Sequence, residues 1–205
     1  MSTEKTKVNM DPKYIIKLTV TLFVTCVIVA GLLGGVNAIT KDKIAAINWE
    51  KTVAAMKAVV ADPDATTFSE ALEKTPEMEA AAAAYGSLDS IYEVQVDGAA
   101  AGYAIKIVAS GSQGAIEMMV GVDGEGVVTG VSIVKHSETS GIGTKVTGND
   151  PLPSGVGVLD QFIGMSGAGT LSVGSNVTAI SGATVSSKGI TTGVNAALAA
   201  AEALA

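Results

Sequence analysis

The stretch "IYEVQVDG", residues 91–98, decides the fold. It is a short run of β-favouring residues that ends on Asp97-Gly98. Three similar runs follow: "GYAIKIVAS" at 102–110, "AIEMMVGVDG" at 115–124 and "GVVTGVSIVK" at 126–135. Asp-Gly between such segments is a hairpin signal, and Asp123-Gly124 repeats it. Four antiparallel strands are expected from Ile91 onward.

The flanks read differently. Upstream, "KDKIAAINWEKTVAAMKAVV" carries Ile44, Ile47, Val53, Met56 and Val60 at helical spacing. "DPDATT" breaks that pattern, and "FSEALEKTPEMEAAAAAY" is alanine-rich and helix-favouring, interrupted at Pro76. Downstream come a polar, glycine-rich stretch, a short helix at "VGVLDQFIG", and an alanine-rich helix over "SSKGITTGVNAALAAAEALA". Strands in the middle with helices at both ends predict an α+β class.

Residues 18–39, "LTVTLFVTCVIVAGLLGGVNAI", hold no charged side chain. At about 1.5 Å per residue this run reaches about 33 Å, enough for a hydrocarbon core of about 30 Å. A cleaved signal peptide is the competing reading, with small residues at Val36-Asn37-Ala38. The run exceeds the roughly 7–15 residues of a signal core, so a retained span is expected. Lys5, Lys7, Lys13 and Lys17 precede it and Lys41 and Lys43 follow it. That bias puts the N-terminus in the cytoplasm and the rest outside. The expected order is a tail at 1–13, a transmembrane anchor at 14–40, a helical connector at 41–87 and a strand-and-helix domain at 88–205.

The 205-residue chain has no arginine and a formal net charge of −7. Beyond residue 44, seven lysines face seventeen acidic residues. Such a surface repels phosphate backbones and excludes a nucleic-acid partner. Cys26, the single cysteine, lies in the apolar run, which leaves no intramolecular disulfide or cysteine-ligated metal cluster.

Two stretches can carry chemistry. In "VTAISGATVSSKGI", residues 177–190, Ser181, Gly182 and Ala183 precede Thr184 at an expected strand-to-helix junction. Small residues let another molecule approach, and free N–H groups at a helix start attract an anion. A Ser/Thr N-cap with glycine in the turn explains the same residues. In "KHSETSGIGTK", residues 135–145, the only histidine, His136, stands two residues before Glu138, and Gly141 and Gly143 can lie against a flat ligand. One His and one Glu are too few for a metal site, and no glycine elbow surrounds Ser137.

Taken together, "HSETSGIGTK" and, some 40 residues later, "SGATVSS" resemble the FMN-binding domain family of the Rnf and Nqr membrane redox complexes, most closely the G subunits of the Rnf type. The resemblance runs from about residue 14 to the end and makes residues 88–205 the FMN-binding domain. It implies a flavin transferase that joins FMN, taken from FAD, through its phosphate to Thr184, with Ser181, Gly182 and Ala183 completing the motif. It further implies that Glu138, Thr139, Gly141, Ile142 and Gly143 lie against the flavin ring; Phe162 reads as a buried core side chain or a flank of the ring, and Lys188 as a neighbour of the phosphate or a solvated lysine. The family's signature acid falls at Thr178, and Ser140 stands where many relatives have proline. The implied role is electron transfer within a ferredoxin:NAD oxidoreductase that moves Na⁺ or H⁺. Its partners would be subunits with iron–sulfur and flavin centres, in a bacterial cytoplasmic membrane, with the domain on the outer face. A quinone-reducing Nqr-type pump and a non-redox membrane-anchored assembly or sensor module are the alternative roles.

Overall fold

A computed structural model describes residues 11–204, so residues 1–10 of the expected tail lie outside the described residues. The chain divides between Ile47 and Asn48 into two compact units. Helix α1, Pro12–Ala58, supplies the first and enters the second. It is long and apolar enough to cross a membrane, and none of its most apolar stretch is buried by protein. Thr19, Thr21 and Thr25 donate their hydroxyl hydrogens to the carbonyls of Ile15, Lys17 and Thr21 one turn back. Polar side chains in hydrocarbon are satisfied within the helix in this way.

The second unit is built on one antiparallel sheet. Its strands are β1 (Thr66–Ala71), β2 (Ser87–Val96), β3 (Ala99–Ser110), β4 (Ala115–Asp123) and β5 (Val128–Lys135), in the spatial order of the chain. The α+β class is as expected. Asp97 and Gly98 alone join β2 to β3, with φ of 52° and 80°. Both residues sit in the left-handed region, the geometry that matches the twist of two paired strands. The β4–β5 connection is longer, and the Asp123 carboxylate accepts hydrogen bonds from the N–H groups of Glu125 and Val127, both at 2.9 Å.

The sheet's alternation serves two cores. On one face Ile91, Ile105, Ile107, Ile116, Met118 and Val120 meet α2 (Pro76–Ala83) and α4 (Thr184–Glu202). On the other, Tyr92, Val94, Ala104, Met119 and Val134 meet the end of α1. There Thr52, Ala55, Met56 and Val59 are buried at helical spacing. Val59 sits over Gly121 and Gly130, where a Cβ would strike its backbone, and its carbonyl accepts the Thr129 hydroxyl at 2.7 Å.

Helix α4 is buried on nearly every side from Ser186 to Ala201. Its small residues let β3 and α2 approach closely. A Cβ on Gly189 would collide with the Ser110 carbonyl oxygen, and one on Gly193 with the Met118 sulfur.

Five local expectations need correction. Residues 68–71, expected to favour helix, instead complete edge strand β1, because Thr66, Thr67 and Phe68 suit an extended chain pairing with β2. The connector expected at 41–87 is therefore helical only to Ala58 and again over α2. Pro76 does not interrupt a helix but starts α2, where Thr75 Oγ1 caps the Met78 N–H at 3.3 Å. The helix expected at 156–164 shrinks to one 3-10 turn, Asp160–Phe162, and Val177–Ile180 form no strand, only a bridge from Val177 to Val173.

Candidate functional site

The chain leaves β5 at Lys135 and folds back on itself at once. The His136 ring accepts a hydrogen bond at Nδ1 from the Glu138 N–H, at 3.2 Å, and its Nε2 lies 3.2 Å from Thr147 Oγ1. With Nδ1 as acceptor, the ring proton belongs on Nε2. Thr147 closes the short helix α3, Gly143–Thr147. Histidine thus serves as an internal strut between β5 and α3.

That strut turns Glu138 inward, where the side chain is only 8% exposed. Its Oε1 accepts the Ser112 N–H at 2.8 Å and the Gln113 N–H at 3.2 Å, both from the β3–β4 turn. Its Oε2 accepts the Ser186 hydroxyl from the first turns of α4. Burial by itself would raise this carboxyl. The hydrogen bonds from Ser186, Gln113 and Ser112 together outweigh burial and hold it below its ordinary value. Two glycines make the room. A Cβ on Gly111 would overlap Oε1, and one on Gly143 would come within 2.5 Å of Oε2.

Helix α4 begins without a side-chain cap. Its N-cap is Ala183, which offers no oxygen to the first N–H groups, so these remain available to an anion. Gly182 turns the chain in the left-handed region at φ 84°, and Thr184 is exposed. The preceding segment is clamped from the side. The Gln161 amide donates to the Thr178 carbonyl at 3.1 Å and accepts the Thr178 N–H at 2.8 Å.

Thr184, Gly182 and Ala183 line a hollow of about 160 Å³ together with Glu138, Thr139, Ile142 and Gly143. The two motifs, distant in sequence, share one cavity. Ser181 and Gly141 stand outside its lining: both are exposed, and the Gly141 N–H is bound to Thr144 Oγ1 at 2.8 Å. Phe162 is core, at 1% exposure. Lys188 is exposed on α4, at the i+4 position from Thr184. Sequence reasoning missed Ser112, Val185 and Ser186, which complete the lining. Ser186 lay within a quoted motif, but nothing in its spacing ties it to Glu138. Ser112 sits in a turn with no signal of its own. Among the described residues no cluster of three potential metal ligands occurs.

This fold and hollow belong to an FMN-binding domain, a family that matches residues 111–199. Over nearly the whole chain the likeness narrows. The sequence is 32% identical to the G subunit of the Na⁺-translocating ferredoxin:NAD⁺ oxidoreductase complex of Acetobacterium woodii over 198 residues, 93% of each chain. It is 30% identical to the G subunit of the ion-translocating oxidoreductase complex of Methanosarcina acetivorans over 193 residues, 92% of this chain and 95% of that one. The corresponding G subunit of Aliivibrio fischeri is 42% identical over 57 residues, 27% of each chain. The chain belongs to the family of G subunits of ion-translocating oxidoreductase complexes.

Proposed function

We propose that Thr184 carries FMN through a phosphoester and that the chain is an electron-carrying subunit of an Rnf-type ferredoxin:NAD oxidoreductase. The observation that carries this reading is the position of Thr184. It is an exposed hydroxyl at an uncapped helix start, opening on the same hollow as loop 138–143. These residues suit the group. Gly182 and Ala183 leave the hydroxyl approachable, and the helix N-terminus favours the phosphate charge by about 0.3–1 kcal/mol. Thr139, Ile142 and Gly143 offer an apolar and backbone surface to a ring. Bound FMN would supply reversible electron transfer, while the protein supplies position and field.

Attachment forms one bond and breaks one. Thr184 Oγ1 bonds to the flavin-side phosphorus of FAD, and the phosphorus–oxygen bond to AMP breaks. AMP leaves with that electron pair, and the hydroxyl proton passes to a base or water of the flavin transferase. Thr178, at the position of the signature acid, leaves the Ser-Gly-Ala-Thr core whole, and Gln161 holds its backbone. The lysine bias around residues 18–39 orients the N-terminus to the cytoplasm and the second unit outward, on a bacterial cytoplasmic membrane. Neighbouring subunits of the complex, with iron–sulfur and flavin centres, would exchange electrons with it and couple them to Na⁺ or H⁺ movement.

Co-expression with a flavin transferase tests the proposal. On a denaturing gel the wild-type band fluoresces, and its intact mass exceeds the bare chain by FMN less water. Thr184→Ala is dark and unmodified. A dark wild type, beside a transferase active on another substrate, overturns the reading.

A further inference from the structure

Glu138, Ser112, Gln113 and Ser186 belong to three segments widely separated in the chain. They meet at one buried carboxylate. Both of its oxygens are taken by the protein: Oε1 by two backbone N–H groups of the β3–β4 turn, Oε2 by the Ser186 hydroxyl. The carboxylate makes no ion pair with a lysine among the described residues. Its charge is met by oriented donors, an arrangement that tolerates little displacement in a medium of low dielectric. Gly111 and Gly143 are shaped around it, since a Cβ on either would take the carboxylate's place. Five positions thus converge on one functional group.

The place of this group matters. Ser186 lies two residues beyond Thr184 on α4, and Ser112, Glu138, Gly143, Thr184 and Ser186 all line the same hollow. One wall of the hollow is a helix, fixed by its own packing. The other walls come from the β3–β4 turn, the loop after β5 with the first residue of α3, and the turn before α4. The Glu138 carboxylate joins them.

We infer that Glu138, acting through Ser186, is a positioning residue for the modification of Thr184: its carboxylate is committed to the protein, and it sets the hollow around the hydroxyl before any flavin arrives. The inference rests on the reading of Thr184 as the attachment site. It assigns Glu138 to acceptor preparation rather than to ring contact. Losing the brace frees loop 138–143 and the 111–114 turn from α4. Transfer then slows, because a misplacement of about 1 Å can cost on the order of a hundredfold in rate.

The test follows the rate of flavin attachment to the full-length chain in detergent, with purified transferase and FAD, by gel fluorescence and intact mass. Glu138→Ala is expected to slow attachment at least about tenfold and Ser186→Ala at least about threefold. Ser186→Thr, which keeps the hydroxyl, restores a rate near wild type, an outcome that mere loss of packing would not produce. Thermal unfolding of each unmodified variant, in a Thr184→Ala background, reports folding. Should Glu138→Ala fail to unfold cooperatively, Ser186→Ala and Ser186→Thr decide the matter alone. Attachment at the wild-type rate in Ser186→Ala and in any folded Glu138→Ala overturns this inference while leaving Thr184 as the site. Attachment that persists in Thr184→Ala instead overturns the reading beneath it.

Discussion

Gly189→Ala is the sharpest test of how α4 is seated. In an exposed helix interior this exchange stabilises by about 1 kcal/mol, because alanine loses less backbone entropy. Here the new Cβ would collide with the carbonyl oxygen of Ser110, and would lie 3.1 Å from its carbonyl carbon and 3.4 Å from Gly111 Cα. These are backbone atoms in a paired strand and its turn, so no rotamer change relieves them. The helix must lift. Overpacking of this kind costs about 1–3 kcal/mol, and contact with backbone belongs at the upper end. Set against the propensity gain, the net loss is about 2 kcal/mol. For a unit of this size that lowers Tm by roughly 4–8 °C. Gly193→Ala makes the natural comparison. Its Cβ meets the flexible Met118 sulfur and lies 3.1 Å from Ala109 Cβ, so the net change is about 1 kcal/mol or less. The assay is thermal unfolding of the full chain in detergent, followed by circular dichroism. A rise in Tm for Gly189→Ala would refute the close seating of α4 on the β3–β4 turn, and with it the fixed placement of Thr184.

Three further outcomes follow from the same contacts. Glu138 has a folded-state pKa below its ordinary 4.5, so its stabilisation is present above that value and is lost as pH falls through the lower one. The gap in stability between wild type and Glu138→Ala, about 3 kcal/mol at neutral pH, should therefore stay near its full size down to the ordinary value and narrow only below it. Thermal unfolding across that pH range checks it. Lys106, 15% exposed, pairs with Asp89 at 3.0 Å and Glu117 at 3.3 Å. Burial lowers its pKa, but the two carboxylates outweigh burial and raise it. The stabilisation is thus complete below the ordinary 10.5 and is lost as pH climbs through the higher folded value. Lys106→Met should cost about 1–2 kcal/mol at neutral pH, and Lys135→Met, whose amine is more exposed, about 0.5 or less, by urea unfolding. Finally, a fragment of residues 48–205 should unfold cooperatively and stay soluble. One beginning at residue 62 uncovers Tyr92, Val94, Ala104 and Met119 and should aggregate in light scattering.

The legible parts of this fold were those in which a local rule and the tertiary structure agree. Asp97-Gly98 marks its turn because only a left-handed pair closes a two-residue hairpin there, and the runs around it alternate between two cores. The apolar run at 18–39 needs no context at all. Strand β1 was illegible because Glu70 and Ala71 favour helix where Thr66, Thr67 and Phe68 favour strand, so local propensity is divided and the edge pairing with β2 decides. Alanine richness in α4 reads as helix propensity, yet its other purpose is steric: Gly189, Gly193 and the alanines around them admit the sheet. The site divides in the same way. Thr184 and the loop at 138–143 stood out as two motifs. The bond between them did not, since a serine donating to a carboxylate 48 residues earlier leaves no periodic trace.

Rigidity is distributed unevenly around Thr184, and the unevenness has a reason. If Thr184 is the attachment site proposed above, its hydroxyl must be approachable by a transferase, which fits the small, exposed residues Ser181 and Gly182 before it. Approachability and fixed position conflict, because exposed small residues hold nothing in place. The chain resolves the conflict by fixing the hydroxyl from behind. Helix α4 is wedged on the sheet through Gly189, and Ser186 ties its first turns to the buried carboxylate. Gln161 steadies the incoming segment by its backbone alone, which leaves position 178 free to vary in side chain. On the proposed reading, the threonine at that position would change what a transferase meets on the surface without changing the seat of Thr184.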